Sequence, residues 1–108
     1  MTRLPRPLTE FPGGGPAEPG VAAAEARIRA EGVEPMAWSN GPGDRYAPHD
    51  HAYTKLLVCA EGSVTFLIGP ESTPVELTPG AGFVLPPRTL HAALVGPDGC
   101  ACVEGHRP

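Results

Sequence analysis

Three histidines and one lysine are the residues of this chain whose types and spacing are best suited to metal binding or catalysis. His49 and His51 are two residues apart, Lys55 follows His51 by four residues, and His91 comes much later. Because side chains alternate faces along a β-strand, His49 and His51 should point the same way with Cα atoms about 7 Å apart, close enough for two imidazoles to share one ion. Lys55 has the same parity and is the only lysine in the chain. Any function must therefore account for a cation beside potential metal ligands.

Lys55 leaves three outcomes open for such a site. A divalent ion and an ammonium ~5 Å apart at an effective dielectric of about 20 repel by roughly 6 to 7 kcal/mol, whereas structural zinc sites bind with about 10 to 16 kcal/mol. Lys55 can be a neutral amine near the metal, poised as a catalytic base or as a ligand. It can instead swing away to pair with Glu61, Asp44 or Asp50. In the third outcome no metal binds, and Lys55, Arg45 and the histidines form a cationic pocket suited to a carboxylate or phosphate.

Further side chains are predicted to line the same pocket. Arg45 and Tyr53 share the inward parity of the histidines and are candidate ligand-binding residues at its mouth, and Trp38 can join them from the preceding strand. Aromatic side chains also serve as bulky filler in a small barrel, so a core role for Tyr53 and Trp38 stays open. Cys59 has the same parity deeper in the barrel and is predicted to act as a small hydrophobe. His106, near the end of the chain, is predicted to be solvated.

Composition and charge exclude several classes of function. At 108 residues the chain has room for one domain with one core. The formal net charge is −4 and the seven arginines are scattered, so no basic stripe is present to bind nucleic acid. No apolar run reaches the ~20 residues that span a bilayer, and the start lacks the apolar segment of a signal peptide. We therefore predict a cytoplasmic protein without a membrane partner, whose three cysteines are reduced thiols.

Glycine, proline and the apolar pattern predict the order of the elements. Residues 1–20 hold five prolines and four glycines and are predicted to form an extended or mobile arm, of the kind that can lie across a partner subunit. The domain proper is predicted to span 21–108 and to begin with a short helix at 21–31 that Gly32 ends. Everything after it has the period of strands, predicted at 33–38, 45–52, 54–60, 63–68, 74–78, 82–85, 90–95 and 100–104. Short strands at this spacing favour an antiparallel sandwich or barrel.

The predicted strand at 54–60 is largely apolar on both faces. Such a strand fits a barrel wall that is also covered from outside. The cover can come from the helix and arm, or from a second subunit, and we predict a homodimer.

The histidines belong to two ordered spacing patterns. The first pattern runs Gly43, five residues, His49-Asp50-His51, three residues, Lys55, six residues, Gly62. The second runs from Gly80 through Pro86 and Arg88 to His91 and Val95. In order and spacing these patterns resemble the two sequence motifs of the cupins, over about half the chain. Three residue types depart from those motifs: Lys55 stands at the position of the acidic ligand, Arg88 at that of a glycine and Val95 at that of an asparagine.

The resemblance implies an all-β fold, the double-stranded β-helix or jelly-roll barrel, preceded here by the short helix and the arm. It also implies a divalent transition metal held by His49, His51 and His91, with Fe, Ni, Zn, Mn and Cu not distinguished. Substrate and reaction are left open, and dioxygenase-like or isomerase-like chemistry on a small molecule is one possibility. Two alternatives stay open: a metal-free barrel that binds or senses a small anionic ligand, and an epimerase-like enzyme that uses a histidine base with Lys55.

Overall fold

Antiparallel strands make up most of the protein, as the turn residues and apolar alternation predict. The computed structural model describes residues 4–12 and 17–108. The elements in chain order are β1 (Thr9–Glu10), α1 (Val21–Ala30), β2 (Met36–Asn40), β3 (Arg45–His49), β4 (Thr54–Ile68), β5 (Thr73–Leu77), β6 (Gly82–Leu85) and β7 (His91–Arg107). Within the described residues, no helix has the length and apolar character needed to cross a membrane.

The two long strands β4 and β7 pair with each other and carry the remaining strands. The sheet order is β1-β6-β4-β7-β2, while β5 also pairs with β4 and β3 also pairs with β7. This arrangement confirms the predicted jelly-roll barrel. The prediction of separate strands at 54–60 and 63–68, and at 90–95 and 100–104, was wrong, because each pair is one continuous strand.

The predicted breaks are irregularities within the long strands. The β4–β7 register shifts between Cys59 and Glu61 and again between Gly62 and Val64. A bulge bends a strand without ending it, so one strand can follow the curved wall of a barrel. Gly62 has a φ of +70°, and a Cβ atom there would lie 2.0 Å from the carbonyl oxygen of Gly99. Only glycine fits this crossing of the two strands.

The barrel wall has apolar residues on both faces, as the sequence predicts for 54–60. Leu57 and Cys59 belong to the inner core, whereas Leu56 and Val58 pack outward in a second cluster that includes Ile28 of α1. Ile28 is fully buried, and burying such a side chain contributes about 1.5 to 3 kcal/mol. The helix therefore covers the outer face of β4.

The N-terminal arm packs on the same chain. Its strand β1 pairs with β6, and Leu8 and Phe11 on either side of β1 are buried. The Arg27 guanidinium lies 4.6 Å from the centre of the Phe11 ring, and its Nη1 donates a hydrogen bond to the Gly80 carbonyl at 2.9 Å. The described part of the arm is thus held on the barrel; the glycine run at 13–15 lies outside the described residues. Because α1 and the arm cover the apolar wall, the homodimer prediction loses that packing argument.

Candidate metal centre

The three histidines converge where β3 ends and β7 begins. His49 is the last residue of β3, His91 is the first of β7, and the two are direct partners across the sheet. His51 lies in the loop just after β3, beyond the end of the strand that was predicted to run to residue 52. The ring centroids of His49 and His91 are 4.4 Å apart, and His51 lies 4.8 Å from His49 and 5.1 Å from His91. One potential ligand atom of each residue lies within 4.8 Å of the others. The predicted grouping is confirmed.

A backbone hydrogen bond ties the loop of His51 to the turn before His91. The Arg88 N–H donates to the His51 carbonyl at 2.7 Å, and Arg88 has a φ of +61°. Glycine adopts this left-handed conformation without strain, which explains why the second cupin motif has a glycine at the position of Arg88. The Arg88 side chain reaches back to Asp50, with Nη1 and Oδ1 3.4 Å apart. The two motifs therefore form one connected site.

Two of the histidines have their tautomer fixed by backbone carbonyls. Nδ1 of His49 lies 2.7 Å from the Ala47 carbonyl oxygen, and Nδ1 of His91 lies 2.8 Å from that of Thr89. A carbonyl only accepts hydrogen bonds, so each Nδ1 carries the proton and each Nε2 keeps its lone pair. This is the arrangement that metal-ligating histidines adopt, with the second nitrogen held by an outer acceptor.

Two ring nitrogens of the cluster lack a hydrogen-bond partner within residues 4–12 and 17–108. Nε2 of His51 and Nε2 of His91 are buried, and neither has a hydrogen-bond partner among the described residues. Leaving a buried polar atom unpaired costs about 1 to 3 kcal/mol. Coordination of one ion would satisfy the lone pairs together, so the donor set fits a divalent transition metal.

Electrostatics keep these imidazoles in the neutral form that binds metal. Burial, with smaller effects from His49, Lys55 and His51, lowers the pKa of His91 to about 4 despite the Thr89 hydrogen bond. Burial also lowers the pKa of His51, and the neighbouring charges of Lys55 and His49 act in the same direction. At neutral pH no proton has to leave His51 or His91 before an ion binds.

Lys55 faces the site and pairs with an acidic residue that the sequence analysis missed. Its Nζ lies 3.6 Å from Oε1 of Glu104, and both side chains are nearly buried. Of the outcomes left open for Lys55, pairing with an acidic residue is the one seen here, but the partner is none of the three residues considered. Asp50 pairs with Arg88, and Asp44 accepts a hydrogen bond from the Gly41 N–H. Glu104 lies beyond the second motif, and its proximity to Lys55 follows only from the β4–β7 register.

Glu104 also accepts two further hydrogen bonds. Trp38 Nε1 donates to Oε1 at 2.8 Å, and His106 Nε2 lies 2.5 Å from Oε2. Burial alone would raise the pKa of Glu104, but His106, Lys55 and Trp38 together outweigh it and lower that pKa. The carboxylate is therefore ionised at neutral pH. The prediction that His106 is solvated was wrong, because its ring is also stacked on Tyr53 with centroids 3.9 Å apart.

A cavity of about 160 Å³ opens beside the histidines. Its polar lining is His49, His91, Lys55 and Glu104, and its aromatic and apolar lining is Trp38, Tyr46, Phe66 and Ala93. Trp38 thus reaches the cavity, as the sequence predicts. Tyr46, Phe66 and Glu104 are lining residues that the sequence analysis missed.

Arg45 and Tyr53 do not line the cavity, although strand parity predicts that both side chains point inward. The β3–β7 register shifts between Tyr46 and His49, so Tyr46 turns to the cavity while Arg45 is exposed. Tyr53 stacks between His51 and His106, at 4.8 and 3.9 Å, and is absent from the cavity lining. Its contacts with the site are these two ring stacks.

Comparison with known proteins identifies the family and the fold. The family model described as the AraC-like ligand binding domain matches residues 37–102, which is more than half of the chain. No protein of the curated set matches. Among solved structures, the chain is similar to the DMSP lyase DddQ from Ruegeria pomeroyi DSS-3, with a TM-score of 0.64 and 20% identity over 70% of this chain and 38% of that one.

Two further solved structures show the same fold. An RmlC-like cupin from Shewanella frigidimarina NCIMB 400 has a TM-score of 0.62 and 21% identity, over 70% of this chain and 66% of that one. A protein with a double-stranded β-helix domain from Klebsiella pneumoniae subsp. pneumoniae MGH 78578 has a TM-score of 0.62 and 22% identity, over 70% of this chain and 67% of that one. The chain spans only 38% of the DMSP lyase structures that it matches. On the family match and the shared fold, the protein belongs to the AraC-like ligand binding domain family of the cupin superfamily.

Proposed function

We propose that this cupin binds one divalent transition-metal ion through His49, His51 and His91, and that a small molecule binds beside it in the cavity. The observation that carries the proposal is the pair of buried Nε2 atoms, on His51 and His91, that lack any partner among the described residues. They belong to a group whose potential ligand atoms lie within 4.8 Å of one another.

The protein's own groups give the site its shape and charge. The Ala47 and Thr89 carbonyls orient the His49 and His91 rings, and an ion held by three imidazoles would have further coordination positions for water or the small molecule. The chemistry that a bound ion would supply is that of a Lewis acid toward an oxygen of the small molecule. The Lys55 ammonium lines the same cavity, where it can donate a hydrogen bond to an oxygen atom of that molecule.

The size and lining of the cavity favour a small metabolite. Its volume of about 160 Å³ is below the roughly 300 to 1,000 Å³ of pockets that hold drug-sized ligands. The aromatic wall, which includes Trp38, Tyr46 and Phe66, suits the carbon skeleton of the ligand. A sugar nucleotide is larger than this space, so the epimerase-like alternative has less support.

The metal-free anion site also has less support. That alternative needs Lys55, Arg45 and the histidines as a cluster of cations. Arg45 is exposed and outside the cavity lining, Lys55 is paired with Glu104, and the pKa of His91 is lowered to about 4 by burial. Few unpaired positive charges are left there to bind a carboxylate or phosphate.

A second candidate is metal-assisted turnover with Lys55 as a catalytic acid. The observation that favours it is the Lys55–Glu104 pair, since both side chains line the cavity. A positioned ammonium can deliver a proton to charge that develops on a substrate.

The oligomeric state and the cellular compartment of the protein are proposed on separate grounds. We infer a homodimer from the cupin resemblance and from the exposed apolar side chains Met36, Tyr46, Leu90 and Leu94. Three buried free thiols favour a reducing compartment, the cytoplasm.

Elemental analysis tests the metal proposal. Wild-type protein purified without chelator should carry one transition-metal ion per chain, or take one up on titration with Fe²⁺, Ni²⁺, Zn²⁺, Mn²⁺ or Cu²⁺. His49→Asn and His91→Asn should lose most of that metal. Arg45→Gln is the matched control, because Arg45 lies on the same strand as His49 but is exposed and outside the cavity lining. Wild-type protein that neither carries nor takes up any of these metals would contradict the proposal.

A further inference from the structure

Glu104 places a carboxylate beside Lys55, the residue that stands where the cupin motif has its acidic ligand. We propose that Glu104 is a positioning residue that neutralises Lys55 and holds its ammonium in place, so that the three-histidine site keeps its affinity for a divalent ion. This inference rests on the proposed metal centre and names the residue that makes Lys55 compatible with it.

The strand register brings the two charges together. Lys55 of β4 is the partner of His106 of β7, and Leu57 is the partner of Glu104. Lys55 and Glu104 are therefore diagonal neighbours on the inward face. Their side chains are 11% and 13% exposed, with Nζ and Oε1 3.6 Å apart. So little water reaches this pair that their charges act on each other with weak screening.

The carboxylate is held from three strands, which fixes its position. Trp38 of β2 donates to Oε1, Lys55 of β4 lies against the same oxygen, and His106 of β7 bonds to Oε2. A carboxylate with both oxygens engaged in this way is a poor candidate for a direct metal ligand. Glu104 is accordingly absent from the group of residues that could hold an ion among those described.

Charge counting gives the consequence for metal binding. With Glu104 ionised, the Lys55–Glu104 pair has no net charge beside the histidines. Without Glu104, an unpaired ammonium shares the cavity with His49 and His91, and it repels any divalent ion that they bind.

A double-mutant cycle on metal affinity tests this inference. The variants are Glu104→Gln, Lys55→Met and the double variant, with Zn²⁺ affinity measured by chelator competition at pH 7.5. Glu104→Gln should weaken Zn²⁺ binding by about 10- to 100-fold, the loss typical of an outer-shell partner. Lys55→Met should bind within about threefold of wild type or more tightly, and the double variant should match Lys55→Met. A merely structural role for Glu104 predicts no such recovery.

The outcomes separate this inference from the proposed function. Glu104→Gln that binds Zn²⁺ as tightly as wild type would overturn the inference and leave the metal centre standing. A double variant as weak as Glu104→Gln would also overturn it, because the loss would not depend on the charge of Lys55. Zn²⁺ binding by Lys55→Met but not by wild type would show that Glu104 fails to compensate. If no form binds Zn²⁺, Fe²⁺, Ni²⁺, Mn²⁺ or Cu²⁺, the proposed function fails and the inference with it.

Unfolding of each metal-free variant, followed by circular dichroism, identifies a variant that loses Zn²⁺ affinity because it misfolds. If Glu104→Gln misfolds, Glu104→Asp replaces it, and a partial loss of Zn²⁺ affinity is expected.

Discussion

His49 and His91 are direct partners across β3 and β7, and their ring centroids lie 4.4 Å apart. One ends its strand and the other begins its own, so a single strand pairing brings together two candidate ligands that are far apart in sequence. Each ring is held by a carbonyl two residues earlier in the chain. The centre is therefore built from backbone geometry as much as from side chains.

The stability of the metal-free protein should fall in mild acid because of His91. Its pKa is about 4 in the folded state, against 6.5 ordinarily. Between these values the unfolded chain binds more protons, so stability is full above about pH 6.5 and is lost as the pH falls toward 4. The shift corresponds to roughly 3 kcal/mol of unfolding free energy.

Urea unfolding in the presence of chelator, from pH 7.5 to pH 4.5, measures this effect. His91→Gln is the control, since it removes the titrating group and should show a flatter pH dependence. Equal slopes for wild type and His91→Gln would show that burial of His91 does not perturb its titration.

The two glycines that bound the first motif should respond differently to alanine. Both have positive φ, +75° for Gly43 and +70° for Gly62, so each alanine pays about 1 to 2 kcal/mol of left-handed strain. A Cβ atom at Gly43 has open space, whereas one at Gly62 would lie 2.0 Å from the Gly99 carbonyl oxygen. Gly62→Ala should therefore destabilise the fold by clearly more than Gly43→Ala, as measured by thermal unfolding. Similar losses for the two variants would mean that the β4–β7 crossing is looser than described.

The three cysteines should be unreactive in the native protein. Cys59 and Cys102 are fully buried and Cys100 is 6% exposed, and all three are free thiols. Burial raises the pKa of Cys100, and the hydrogen bond with Cys59 together with burial raises that of Cys102. Ellman's reagent should modify them slowly in buffer and completely in guanidinium. Rapid labelling of native protein would show that the inner core opens readily.

Motif spacing predicts the histidine centre because it depends on short stretches of sequence. His49 and His51 are close by chain connectivity, and the match around His91 places the second motif on the same barrel. The apolar pattern predicts the covered wall for the same reason, since alternation is a local property of each strand.

The other features depend on relationships between strands. The dipeptides Glu61-Gly62 and Gly96-Pro97 have the composition of turns. In the structure the first lies inside β4 and the second inside β7. One bulge before His49 reverses the parity that placed Arg45 inward, since a shift of one residue exchanges the two faces. Glu104 approaches Lys55 only through the β4–β7 pairing, so sequence separation alone gives no signal for it.

Nitrogen NMR of the histidine rings tests the three-histidine centre most directly. The chain has four histidines, so wild type and His106→Asn suffice to separate His106 from the cluster. On addition of one equivalent of Zn²⁺, the Nε2 resonances of His49, His51 and His91 should shift together, while Nδ1 of His49 and His91 stays protonated. Zn²⁺ binding that leaves these three Nε2 resonances unchanged would contradict the metal centre.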